Sequence, residues 1–206
     1  SLTSSGALKV AVFGGQASAP PTGDGAIPNT NGFRLTLSST SPITPTDVTA
    51  ATTVYSFPLK GNRISLWSGS AWETIESDVV SVAVPSTTNT PFDVYGYANS
   101  GTYTLETVNW TNTTTRATAL AWHQGVLVKS GDATRRFLGT GCTTGSSGQC
   151  EDSTARRLLW NEYHRAVRPL YAADSTASWT YLGGWREARN QSTLGVSRVA
   201  VMIGRA

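Results

Sequence analysis

Apolar and polar positions alternate along most of this chain. Phe33-Arg34-Leu35-Thr36-Leu37 sets the pattern, with Phe33, Leu35 and Leu37 on one side of an extended segment. Thr52 to Phe57, Arg63 to Trp67, Val79 to Val84, Phe92 to Tyr97 and Tyr103 to Trp110 repeat it at regular spacing. Turn residues stand between these runs: Lys60-Gly61-Asn62, Ser68-Gly69-Ser70, Asn89-Thr90-Pro91 and Asn99-Ser100-Gly101. Ala117 to Trp122, Val126 to Val128 and Arg135 to Gly139 continue the series, and Trp179 to Leu182 and Arg198 to Ile203 resume it near the end. Many short strands separated by turns predict an all-β, β-sandwich or jelly-roll-like domain.

Two segments break the period. Over about residues 153–168, Ala155, Leu158, Leu159, Ala166 and Val167 recur at helical spacing, with Leu170 just beyond. Asp152 or Ser153 stands where a cap belongs, and Arg168-Pro169 stands where a helix ends. This predicts one α-helix covering the sandwich, with Leu158 and Leu159 against the sheet. Residues 14–32 are rich in Gly and Pro and poor in charge. They separate an apolar run, Leu8 to Phe13, from the rest. The expected organisation is therefore an N-terminal arm and connector over 1–32 and a sandwich over 33–206. Leu8, Val10 and Val12 are interface candidates on the arm, because arms of this kind either fray or pair with a neighbouring subunit.

Composition adds an asymmetry. Charged residues make up only 14% of the chain, and Ser and Thr fill much of the remainder. Residues 1–115 hold four Lys/Arg against seven Asp/Glu, whereas residues 116–206 hold twelve against six. All but three of the cations are arginines, whose planar forks suit buried or interfacial pairing. They are scattered and form no dense run, which weighs against a nucleic-acid surface. Arg135 and Arg136 are adjacent in a strand and project to opposite faces. One of them therefore needs a buried carboxylate or carbonyl partner, and both are interface candidates.

The chemistry-bearing residues point away from catalysis. Glu73 with Glu76 and Glu151 with Asp152 are the nearest approaches to a carboxylate pair, and each reads as strand-end or cap charge. His123 and His164 are isolated, and no G-x-S-x-G elbow accompanies them. A structural zinc site needs four ligands, and the isolation of the two histidines in sequence weighs against one; no cofactor motif is present. The cysteines, Cys142 and Cys150, flank a Gly/Ser-rich loop that permits either a disulfide or two free thiols. Seven tryptophans offer a glycan-stacking platform or, as in most sandwiches, core and contact surface. No apolar run approaches the ~20 residues of a membrane span and no signal peptide is evident, so no membrane partner is expected.

Several motifs carry a family resemblance. Arg34 to Leu37 onward through Trp67, Asp93-Val94-Tyr95-Gly96-Tyr97 and Trp110 to Leu120 look like a recurring virion protein of tailed bacteriophages. Gly125 to Gly131, Arg135-Arg136-Phe137-Leu138-Gly139-Thr140, Glu151-Asp152-Ser153 and Leu159-Trp160-Asn161 resemble it more closely, as do Trp179-Thr180-Tyr181 and Arg186. The likeness spans roughly residues 33–190, and Cys142 and Cys150 depart from it. Such proteins are head decoration (cement) or tail-fibre components. The resemblance implies a non-enzymatic capsid protein that works as a homotrimer against the major capsid protein, with a tail-fibre receptor binder as the alternative.

Overall fold

The computed structural model describes residues 27–172 and 199–204. Over those residues the chain forms fifteen strands and no helix, so the all-β expectation holds. A three-stranded sheet runs in the order β1 (Phe33–Thr36), β3 (Thr53–Pro58), β6 (Val80–Ala83). Facing it is a larger sheet in the order β8 (Thr102–Asn109), β7 (Pro91–Asn99), β11 (Asp132–Cys142), β10 (Val126–Lys129), β9 (Leu120–His123), with β14 (Leu159–Asn161) also on β11. The hairpin of β4 (Arg63–Trp67) and β5 (Trp72–Glu76) stands alongside. A last sheet joins β15 (Ala200–Val201), β13 (Arg156–Arg157), β12 (Cys150–Asp152) and β2 (Val48–Ala51) in that order.

The main core lies between the first two sheets. Phe33, Leu35 and Val54 from one side meet Phe92, Val94, Tyr103, Leu105 and Leu138 from the other. The central pair β7–β11 is buried on both faces. Its inner face holds Phe92, Val94 and Leu138, and its outer face packs Tyr95 and Phe137 with Leu127. A bulge between Phe137 and Gly139 inserts one residue, which keeps Phe137 beside Tyr95 on the outer face and Leu138 in the core. Two-residue turns at Ser100-Gly101 and Gln124-Gly125 close the β7–β8 and β9–β10 hairpins. Both residues of each turn have positive φ, the geometry whose twist matches paired strands.

The helix expected over residues 153–168 is not formed, and the reasons are local. Ser153 and Arg156 bond each other's backbone in a tight turn, so Asp152 and Arg157 face one another across the β12–β13 hairpin. Asn161 then gives its side-chain amide to Leu35, accepting from its N–H at 2.7 Å and donating to its carbonyl at 3.1 Å. His164 adopts φ 52°, which no α-helix tolerates. Helix propensity in this stretch is modest, and each of these tertiary contacts outweighs it. Leu158 and Leu159 do pack on the core, as expected, but Val167 is fully exposed at 102%.

The segment before β1 is tied to the sandwich at its end: Gly32 donates to the Arg63 carbonyl, and Asn31 bridges Ile64. Leu8, Val10 and Val12 lie outside the described residues.

Candidate functional site

Arg135 and Arg136 take opposite faces of β11 and have opposite environments. Arg136 points inward, opposite Gly96, and is 0% exposed. No carboxylate among the described residues meets it. Its Nη1 donates to the carbonyls of Pro28 (2.8 Å), Thr30 (3.0 Å) and Ser65 (2.7 Å), its Nε donates to the Tyr163 hydroxyl, and its plane lies 4.7 Å over the Tyr163 ring. Its Nη2 has no hydrogen-bond partner among the described residues. The single cation thereby fastens the chain before β1, strand β4 and the segment after β14 to the central sheet. Arg135, on the outer face, pairs with Glu106 at 3.0 Å and stacks 3.9 Å over Tyr97. Lys129 shares the same Glu106 at 3.1 Å.

Asp93 is the anionic counterpart of Arg136, on the outer face of β7. It is buried, accepting from Thr140 at 2.7 Å and from Arg116 Nε at 2.9 Å. Burial raises its pKa, against the opposing pull of Thr140 and Arg116. Arg116 in turn lies 4.4 Å over Trp110 and donates to the Gly204 carbonyl.

The richest concentration of charge is where the helix was expected. A pocket of about 260 Å³ is lined by Arg34, Arg157, Arg165 and Arg168 together with Asp152. Asp152 accepts from Arg157 at 2.8 Å, from Arg168 at 3.2 Å and from the Thr44 hydroxyl at 3.1 Å. Arg34 is buried and donates to the carbonyls of Leu35, Pro42 and His164. Burial lowers its pKa from that of a free guanidinium; Asp152 opposes this and Arg168 reinforces it. Arg165 stacks 4.7 Å from Trp160 and reaches Glu162 at 3.5 Å. Leu159, Ala166, Leu170 and Met202 give the same pocket apolar wall.

The other candidates are dispersed. Cys142 and Cys150 are free thiols. The local bridge pairs Cys150 with Thr143, and Gly141 faces Phe92 in the core, so alternation turns Cys142 away from the buried Cys150. Burial pushes the Cys150 thiol up to about 12. The tryptophans among the described residues form no common platform. Trp67 and Trp72 pack together with His123, Trp110 is buried under Arg116, and Trp122 stands 64% exposed on β9. Trp179 and Trp185 lie outside the described residues. His164 meets the Asn31 carbonyl through Nε2. Glu76 pairs with Arg63, and Glu151 is held by Ser153 at 2.6 Å and by Arg156. Among the described residues no group of His, Cys, Asp and Glu is placed to hold a metal ion.

Sequence reasoning found the unequal arginine pair but missed the pocket. Arg34 belongs to a strand 118 positions before Asp152, and alternation predicted its side chain on the solvent side of β1. The one available signal was the density of arginine over 156–168 against three carboxylates, Glu151 and Asp152 just before it and Glu162 within it. No protein-family model matches the chain, and no curated protein or solved structure does either.

Proposed function

We propose that this protein is a non-enzymatic structural component of a tailed-bacteriophage virion, a capsid decoration protein that bridges shell subunits as a homotrimer. The resemblance of the motifs quoted above supports the family. The observation that carries the reading toward an assembled protein is strand β15. It closes one end of its sheet, with its inner edge on Ala155 and Arg157, and Val199, Val201 and Ile203 are exposed along it. Among the described residues its outer edge carries no strand, and an apolar edge of this kind invites pairing with another chain. In an assembly, many such modest contacts add through multivalency.

Virions carrying a labelled copy of this chain test the proposal. Label spread over the head, with light scattering of the purified protein giving three chain masses, is the expected result. Absence of the chain from purified virions overturns the proposal. A specific observation also favours the tail-fibre alternative: exposed Trp122 lies in a shallow depression with Thr114, Thr115, Leu120 and Leu127, the kind of surface on which a sugar ring stacks. Label confined to the tail supports that reading and rejects the capsid one.

A further inference from the structure

Among the described residues the arginine pocket has more positive charge than its carboxylates neutralise. Four guanidiniums line it, against Asp152 in its wall and Glu162 on Arg165. Asp152 is already shared between Arg157 and Arg168, and among the described residues Arg34 donates to carbonyl oxygens alone. Carbonyl dipoles satisfy N–H geometry but leave net charge in place. A buried surplus of cations is costly unless solvent or an anion reaches it. Here the cavity opens the surplus to whatever enters.

We propose that this pocket binds an oxyanion carried on a small apolar body, a carboxylate or a phosphate ester. Three features select that class. Guanidinium forks pair with planar carboxylate or phosphate oxygens two at a time, which chloride does not match. Leu159, Ala166, Leu170 and Met202 line the same cavity, so a bare inorganic ion leaves apolar wall in contact with water. At about 260 Å³ the cavity falls just below the range of drug-sized sites, which suits a single ring or short chain and excludes a polymer lying inside it. The site is also held from several directions. Arg34 comes from β1, Asp152 and Arg157 from the β12–β13 hairpin, and Arg157 is fixed further by two bonds to the Pro169 carbonyl. The forks are therefore oriented before any ligand arrives, which reduces the ordering cost of binding. This inference stands whether or not the protein belongs to a virion.

Calorimetric titration of the full chain at constant ionic strength tests it, with benzoate, phenyl phosphate, acetate and inorganic phosphate as probes. Saturable binding of benzoate or phenyl phosphate, at least tenfold tighter than acetate or inorganic phosphate, is expected. The tighter of the two aromatic probes distinguishes a carboxylate from a phosphate source. Arg168→Gln removes one fork and Ala166→Trp fills the cavity without changing charge; each should abolish binding while the unfolding transition persists. If either variant fails to fold, side-chain Nε–H resonances of the wild type decide. Those of Arg34, Arg157 and Arg168 should shift on adding the probe and that of Arg136 should not. No saturation with any probe overturns the proposal, as does equal binding of the inorganic ions or equal shifts at Arg136.

Discussion

Two regions of this protein bury arginine in opposite ways. Inside the sandwich, Arg136 is closed off completely and answered by three backbone carbonyls and a tyrosine, with no acid among the described residues in contact. Beside β12 and β13, Arg34, Arg157 and Arg168 gather round one carboxylate at the wall of an open cavity. The first arrangement is a fastener. Its donors are consumed by strands and loops that must stay where they are. The second retains charge surplus and access to solvent, which is the condition for recognising something else. The same side chain thus serves architecture where it is sealed and offers recognition where it is not.

The sharpest way to break that comparison is to remove the fastener. Arg136→Ala should cost about 3–5 kcal/mol in chemical denaturation, since it abolishes several buried charge-assisted bonds and strands their carbonyl partners. Arg135→Ala, one residue away on the outer face, should cost about 1 kcal/mol or less, because its Glu106 pair is partly solvated and Lys129 remains. Equal losses would mean that Arg136 is not the joint between the chain before β1 and the central sheet.

The pocket should respond differently. Asp152→Asn removes the one carboxylate that Arg157 and Arg168 share, and should cost about 2–4 kcal/mol at low salt. Unlike the loss at Arg136, this one should be recovered in part by added phosphate, because an external oxyanion substitutes for the missing charge. Thermal unfolding with and without phosphate checks this. A loss indifferent to anions would make the pocket a second fastener.

How far these regions were legible in the sequence follows from the range of their contacts. Strands β3, β4, β7, β8 and β10 are visible because alternation and their turns are local properties. Arg136 was legible by the same rule: two adjacent residues of a strand cannot share a face, so one arginine had to find buried oxygen. Its partners at Pro28 and Thr30 come from about a hundred positions away, and no local pattern points to them. Residues 153–168 misled because helical spacing of apolar residues is also what results when each apolar residue serves a different neighbour. Leu158 and Leu159 meet the core, Ala166 lines the pocket and Val167 meets solvent. Short strands such as β12 and β13 carry too few residues to show a period at all.

The thiols test whether the interior is as closed as Arg136 implies. Cys150 lies in the main core with its pKa near 12, whereas Cys142 is only half-buried. At pH 8 iodoacetamide should label Cys142 first and Cys150 only on unfolding, which peptide mass mapping over time resolves. Early labelling of Cys150 would show that the core beside β12 opens readily. That would place the pocket's wall, not the sandwich, at the weak end of the molecule.

The smallest expected effect lies on the outer face of the sheet that holds Arg136. Asp93 is a buried acid with a cation partner, where Arg136 is a buried cation with no acid. Burial raises its folded pKa above the ordinary carboxylate value, with Thr140 and Arg116 pulling the other way. A folded state that holds the proton more tightly than the unfolded chain is favoured by that proton. The contribution is therefore complete below the unfolded pKa, at about pH 4, and is lost as pH rises through the folded pKa. Asp93→Asn cannot titrate, and every other group is the same in both proteins. Measured by urea unfolding from about pH 4 to pH 7, the stability of the wild type should therefore fall relative to the variant as pH rises. A gap that instead moves in favour of the wild type would mean that the attraction of Arg116 exceeds the cost of burial. Asp93–Arg116 would then be a stabilising pair, and the two buried charges of the central sheet would be held by different physics: one by its counterion, the other by backbone carbonyls and a tyrosine.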